Sequence, residues 1–104
     1  MKVAFLDRDG VINIDTGYVC RVEDFFYTDR CTDALKIFSA HGFRIIIITN
    51  QAGIARGYYS ERDFQKLMNW LRMDLREYGI DLLDYFYCPH HPEGSVPEYR
   101  KLCG

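Results

Sequence analysis

Apolar and polar positions follow two different periods along this chain, and the changes of period mark its elements. Residues 3 to 6 form a short continuous apolar run, and residues 44 to 49, with four consecutive isoleucines, form a stronger one that reads as a strand buried on both faces. Between them, residues 33 to 41 place Ala34, Ile37 and Phe38 on one helical stripe, with Gly42 where a helix C′ residue falls. A second helix opens at Ser60, which with Asp63 makes a weaker form of the capping box. It carries Phe64, Leu67, Met68, Leu71 and Leu75 at helical spacing until Gly79. Residues 84 to 88, with three aromatics, read as a third strand leading into a Pro/His/Gly-rich loop.

The predicted order is β-α-β-α-β in one α/β domain, which implies a parallel sheet, right-handed crossovers and a ligand site outside the carboxyl ends of the strands. Asp7, Asp9 and Thr49 fall at those ends. Residues 14 to 30, 51 to 59 and the tail after Pro89 are expected to be the mobile parts.

Composition narrows the picture. A chain of 104 residues with 48% apolar and 15% aromatic residues can build one soluble core. Its formal net charge of -2 and the lack of any Lys/Arg cluster argue against a nucleic-acid partner. Neither a signal peptide nor a membrane span is expected, so a cytoplasmic setting is anticipated. In a reducing compartment four cysteines are thiols or metal ligands rather than disulfides. Cys20 and Cys31 lack partnered spacing and read as semi-buried thiols, and His41 is expected to face a helix dipole.

Three groups of residues carry chemistry. Side chains at i and i+2 of an extended segment share a side, so Asp7 and Asp9 can converge and share a hard divalent cation such as Mg²⁺. Asp7, directly off the strand, is the candidate nucleophile, and Asp9 is placed for proton transfer. Thr49-Asn50-Gln51 ends the isoleucine strand and offers a hydroxyl, an amide and backbone N–H groups to a phosphate, although an ordinary polar turn would look the same. Cys88-x-His90, with Cys103 after a twelve-residue loop, has ligand chemistry suited to zinc. His91, beside Pro92, reads as a loop residue, with a part in completing that site left open.

Asp7-Arg8-Asp9-Gly10-Val11 matches the Asp-x-Asp-x-[Thr/Val] motif of the haloacid-dehalogenase-like (HAD-like) phosphatases, and Thr49 matches their strand-ending Thr or Ser. With residues 5 to 13, 49 to 57 and 88 to 94 taken together, the chain resembles their D-glycero-D-manno-heptose-1,7-bisphosphate 7-phosphatase branch, with the histidinol-phosphatase branch close behind. The resemblance implies a partial Rossmann-like three-layer α/β sandwich, a parallel sheet with flanking helices and no large cap domain. It implies Asp7 as nucleophile, Asp9 as proton donor and Thr49 as phosphoryl stabiliser, with Mg²⁺ held by Asp7 and Asp9. Arg8, Asp15, Thr16, Gly17, Tyr18, Asn50, Gln51 and Ala52 are expected to contact the substrate. Structural zinc is implied at Cys88, His90 and Cys103, and a monomer when the protein is full length.

The resembling family also uses a downstream lysine and a downstream acidic residue, which lie outside these 104 residues. The expectation is therefore an incomplete sheet with an exposed edge, from a truncated piece of a longer protein or a fragment needing a partner, and feeble activity in this chain by itself. The leading expectation is hydrolysis of a small phosphorylated sugar. Histidinol-phosphate hydrolysis and a catalytically silent phosphate- or metal-binding fragment are the alternatives.

Overall fold

The structure is a computed structural model, and it describes residues 2–90, 94, 96 and 97. Its elements run β1 (Lys2–Leu6), a 3₁₀ turn (Val22–Asp24), α1 (Cys31–Ala40), β2 (Phe43–Asn50), α2 (Ala52–Ala55), α3 (Glu61–Glu77) and β3 (Leu82–Cys88). The strands pair in parallel in the order β1-β2-β3, with Leu6 opposite Ile47 and Asn50 opposite Cys88. A register irregularity between Ile45 and Ile46 lets β3 pass over Leu83. The strands are parallel and in sequence order, and residues of both α1 and α3 enter one core cluster with β2.

That face is the core. Ile45 and Ile47 of β2 meet Leu35 of α1 and the apolar stripe of α3, in which Phe64, Leu67, Met68, Leu71 and Leu75 are all buried. The stripe forms as its spacing predicts, and both of its ends are fixed. Ser60 accepts from the Asp63 N–H at 3.1 Å while the Asp63 carboxylate accepts from the Ser60 N–H at 3.1 Å, a full capping box. These hydrogen bonds hold the exposed Asp63 carboxyl below its ordinary range. At the other end Ile80 N–H reaches the Leu75 carbonyl and Gly79 N–H the Arg76 carbonyl, the Schellman pattern, with Ile80 and Leu75 both buried.

Two expectations are corrected. β2 is not buried on both faces: Ile48 is 51% exposed, and with Phe5 (61%) and Phe86 (54%) it leaves an apolar strip on the far side of the sheet. Successive side chains of a strand alternate sides, so four isoleucines in a row fill both faces whether or not both are covered. In α1 the buried pair is Cys31 and Leu35, whereas Ile37 and Phe38 turn outward and Phe38 sits edge-on to Phe43 at 5.5 Å. The helix begins two residues earlier than the sequence suggested, and its core face is set by the i, i+4 pair nearer its start.

The connecting segments also carry more of the core than expected. Val19 and Phe25 in the stretch between β1 and α1 are buried, as are Gly53, Ile54 and Ala55 in α2. Phe25 packs edge-on against Trp70 at 5.4 Å. His41 caps α1 as anticipated, its Nδ1 lying 2.8 Å from the Ile37 carbonyl. Among the described residues no helix is long and apolar enough to cross a membrane.

Candidate active site

Beyond Leu6 the chain leaves β1 through a tight turn that depends on Gly10, whose φ of +86° lies in the left-handed region. The Arg8 carbonyl accepts from the N–H groups of Val11, Ile12 and Asn13 at 2.8 to 3.2 Å, and Gly10 N–H returns to the Asn13 carbonyl at 2.8 Å. The turn holds both acidic side chains at the carboxyl end of the sheet, in two contrasting environments. Asp7 is exposed, and among the described residues its carboxylate accepts from the N–H of Arg8 at 3.0 Å and from no other donor. Asp9 is gripped on both oxygens. Its Oδ1 accepts from Arg8 Nη2 at 2.9 Å, Arg8 Nε at 3.3 Å and Asn13 Nδ2 at 3.1 Å, and its Oδ2 from Gln51 Nε2 at 3.1 Å.

The two acids therefore have different capacities. Asp7 keeps lone pairs free to attack a phosphorus or to bind a cation, while Asp9 has a fixed orientation suited to delivering and taking a proton along one direction. Arg8, fully buried, supplies the brace. Its guanidinium also donates to the Val19 carbonyl at 2.8 Å and stands 5.7 Å from the Phe64 ring centroid.

The end of β2 forms the opposite wall. Thr49 is buried, and its Oγ1 accepts from Gln51 Nε2 at 2.9 Å. Tyr59, just before the α3 cap, donates from its hydroxyl to Gln51 Oε1. Burial raises the Tyr59 phenol well above its ordinary pKa, with the Asp9 charge adding to the shift and Arg8 opposing it, so the group stays protonated and remains a donor. Gly53 makes this wall possible, because a Cβ there would come within 2.9 Å of Tyr18 Cδ1 and closer still to the Tyr59 ring. Tyr18 adopts a φ of +52° and packs edge-on to Tyr58 at 4.7 Å, a local strain of the kind that collects at ligand sites.

Between the walls lies an open cavity of about 470 Å³. Asp7, Asp9, Asp15, Gly17 and Tyr18 line it from the β1 side, and Asn50, Gln51, Ala52, Gly53 and Tyr59 from the β2 side.

Known proteins resemble this chain along nearly its whole length. No family model matches the chain. The crystal structure of a Mesorhizobium loti protein assigned to the HAD-like phosphatases superposes with a TM-score of 0.86 and 30% identity, over 99% of this chain and 48% of that one. A D-glycero-alpha-D-manno-heptose-1,7-bisphosphate 7-phosphatase of Photorhabdus laumondii is 59% identical over 103 residues, covering 99% of this chain and 56% of the relative.

Over nearly its whole length the chain is similar to phosphatases of the HAD-like type.

A further solved structure, the D,D-heptose 1,7-bisphosphate phosphatase of B. bronchiseptica complexed with magnesium and phosphate, superposes with a TM-score of 0.80 and 26% identity. It is matched over 91% of this chain and 54% of its own length. The chain thus spans about half the length of the relatives it matches.

Of the residues expected to contact substrate all but Arg8 and Thr16 line the cavity, and Thr49, expected to stabilise the phosphoryl group, does not line it either. Arg8 is corrected: its side chain points into the core and touches Asp9 and Val19, because a guanidinium so fully engaged has no face left for a ligand. Thr16 is exposed and does not line the cavity. Thr49 stands one hydrogen bond behind the lining, through Gln51.

Gly53 and Tyr59 were not anticipated. Gly53 lies in a segment with no periodic pattern, and the one available signal for Tyr59 is its position immediately before the Ser60 cap. Cys20 and Cys31 are free thiols whose pKa values burial pushes up, as expected of packed rather than metal-binding cysteines.

The proposed zinc residues divide. Cys88 ends β3 and is disulfide-bonded, His90 follows it, and Cys103 lies outside the described residues. Among the described residues no cluster of three or more His, Cys, Asp or Glu side chains is arranged to hold a metal ion.

Proposed function

We propose that this chain forms the nucleophile-bearing part of a phosphomonoesterase that removes the C7 phosphate of D-glycero-D-manno-heptose 1,7-bisphosphate, a step in making nucleotide-activated heptose for surface glycans. The observation that carries the reading is the division of labour between Asp7, almost unengaged, and Asp9, held by donors on both oxygens, at one cavity. The names of the Photorhabdus and B. bronchiseptica relatives support the heptose branch over histidinol phosphate. The cytoplasm is the expected setting.

In this reading an Asp7 carboxylate oxygen attacks phosphorus and the bond from phosphorus to the C7 oxygen breaks. Asp9 passes its proton to the departing alkoxide and then takes one from the water that attacks the aspartyl-phosphate, returning Asp7 and inorganic phosphate. Thr49 stabilises charge on the phosphoryl oxygens.

Mg²⁺, present in the B. bronchiseptica relative, would be held by Asp7 and Asp9 and supplies charge neutralisation at the phosphoryl group. The free lone pairs of Asp7 fit that ion. Zinc at Cys88, His90 and Cys103 would need both sulfurs as thiolates, and Cys103 lies outside the described residues.

The test is phosphate release from the α and β anomers of heptose bisphosphate and from histidinol phosphate, with trapping of the acyl phosphate after acid quench. Faster turnover of a heptose bisphosphate with label on Asp7 supports the proposal. Preference for histidinol phosphate, or turnover without label on Asp7, defeats it.

A further inference from the structure

Three polar side chains, Gln51 and Tyr59 in the cavity lining and Thr49 one hydrogen bond behind it, stand in line, and their donor and acceptor roles follow from their chemistry. In its carboxylate form Asp9 can only accept, so the Gln51 amide atom 3.1 Å from Asp9 Oδ2 is then the nitrogen. Its second proton goes to Thr49 Oγ1 at 2.9 Å. The amide oxygen that remains can only accept, which requires the Tyr59 hydroxyl beside it to donate. Thr49, having accepted from the amide, keeps its own proton to give away.

We infer that Tyr59 and Gln51 are positioning residues of the phosphate site: Tyr59 locks the Gln51 amide in one of its two orientations, and that orientation aims Asp9 and leaves the Thr49 hydroxyl as a donor. This deepens the functional reading above and rests on it. An amide turned over would set Oε1 against Asp9 Oδ2, two acceptors facing each other, and would draw the Thr49 proton onto Oε1. The phosphoryl oxygens would then lose their hydroxyl donor while every side chain remained in place. Hydrogen bonds aligned in one direction also polarise one another, so the relay strengthens the donor at its end. Gly53 leaves room for the Tyr59 ring beneath α2, and the ring, packed there, carries the hydroxyl to the amide.

The chemistry separates this role from simple packing, because Tyr59→Phe keeps the ring and deletes only the donor. In the full chain labelled with ¹⁵N, Tyr59→Phe is expected to speed exchange of the Gln51 side-chain amide protons about tenfold, the value of one hydrogen bond. The unfolding midpoint should stay within experimental error of the wild type. Turnover of a sugar phosphate should fall about tenfold in kcat with KM unchanged, the signature of an interaction that acts on the transition state. Gln51→Glu, which places an acceptor where the donor stood, should lose about a hundredfold.

Wild-type amide exchange in Tyr59→Phe overturns the inference, and so does wild-type kcat in that variant. Absence of phosphate release by the whole enzyme that carries this chain defeats the functional reading instead, and the amide exchange then decides the relay alone.

Discussion

The wall of the cavity that follows β1 carries charge and is braced from inside the core, whereas the wall that follows β2 carries neutral donors and is braced by neighbours along its own rim. On the first, Asp7 and Asp9 are separated by Arg8, whose buried guanidinium ties Asp9 to the Val19 carbonyl. On the second, Thr49, Gln51 and Tyr59 share one hydrogen-bonded line, with no formal charge among them. The contrast shows how a small fold keeps two anions beside a site meant for a third. One carboxylate is satisfied by a buried cation and neutral amides, and the other is left free for the incoming group.

The comparison can be broken most severely at the free carboxylate. Asp7→Asn should reduce phosphate release by ~10⁴-fold or more, since the nucleophile acts as a unit with its partners. A steady-state rate within tenfold of the wild type would reassign the nucleophile.

Next in size is the inner brace. Arg8→Met leaves the Asp9 carboxylate without its cation and should cost ~3–5 kcal/mol of stability in urea unfolding, the usual penalty for removing one partner of a buried pair. Arg8→Met with unchanged stability would show the two walls to be equally independent of the core.

The smallest effect is expected on the β2 side. Gly53→Ala forces a methyl against Tyr18 and Tyr59 and should cost ~1–3 kcal/mol, with weaker binding of inorganic phosphate by calorimetry. Phosphate affinity equal to the wild type's would mean that this wall yields without consequence.

How much of this was readable beforehand depended on whether a local pattern had one physical solution. The α3 stripe did, because Phe64, Leu67, Met68, Leu71 and Leu75 leave the opposite face polar and the capping box fixes the start. Asp7 and Asp9 were legible as residues at the carboxyl end of a strand, and both line the cavity there. The phase of α1 was ambiguous: Cys31 with Leu35 and Ile37 with Phe38 are equally apolar choices, and packing against β2 selected the first.

Arg8 misled for a different reason. A charged residue between two acids looks like a surface group, and its burial becomes intelligible only once Val19 and Phe64 are seen to surround it. Tyr59 was hidden because a residue in a connecting segment is placed by contacts distant in sequence, here with Gln51 and Gly53.

The uncovered strip of Phe5, Ile48 and Phe86 gives the molecule a detergent-like asymmetry, dry on one side and oily on the wetted other. A formal charge of only -2 supplies little mutual repulsion to keep such surfaces apart. For these 104 residues in isolation that strip should set the colloidal limit: added salt should precipitate them early, and a mild surfactant should hold them in solution.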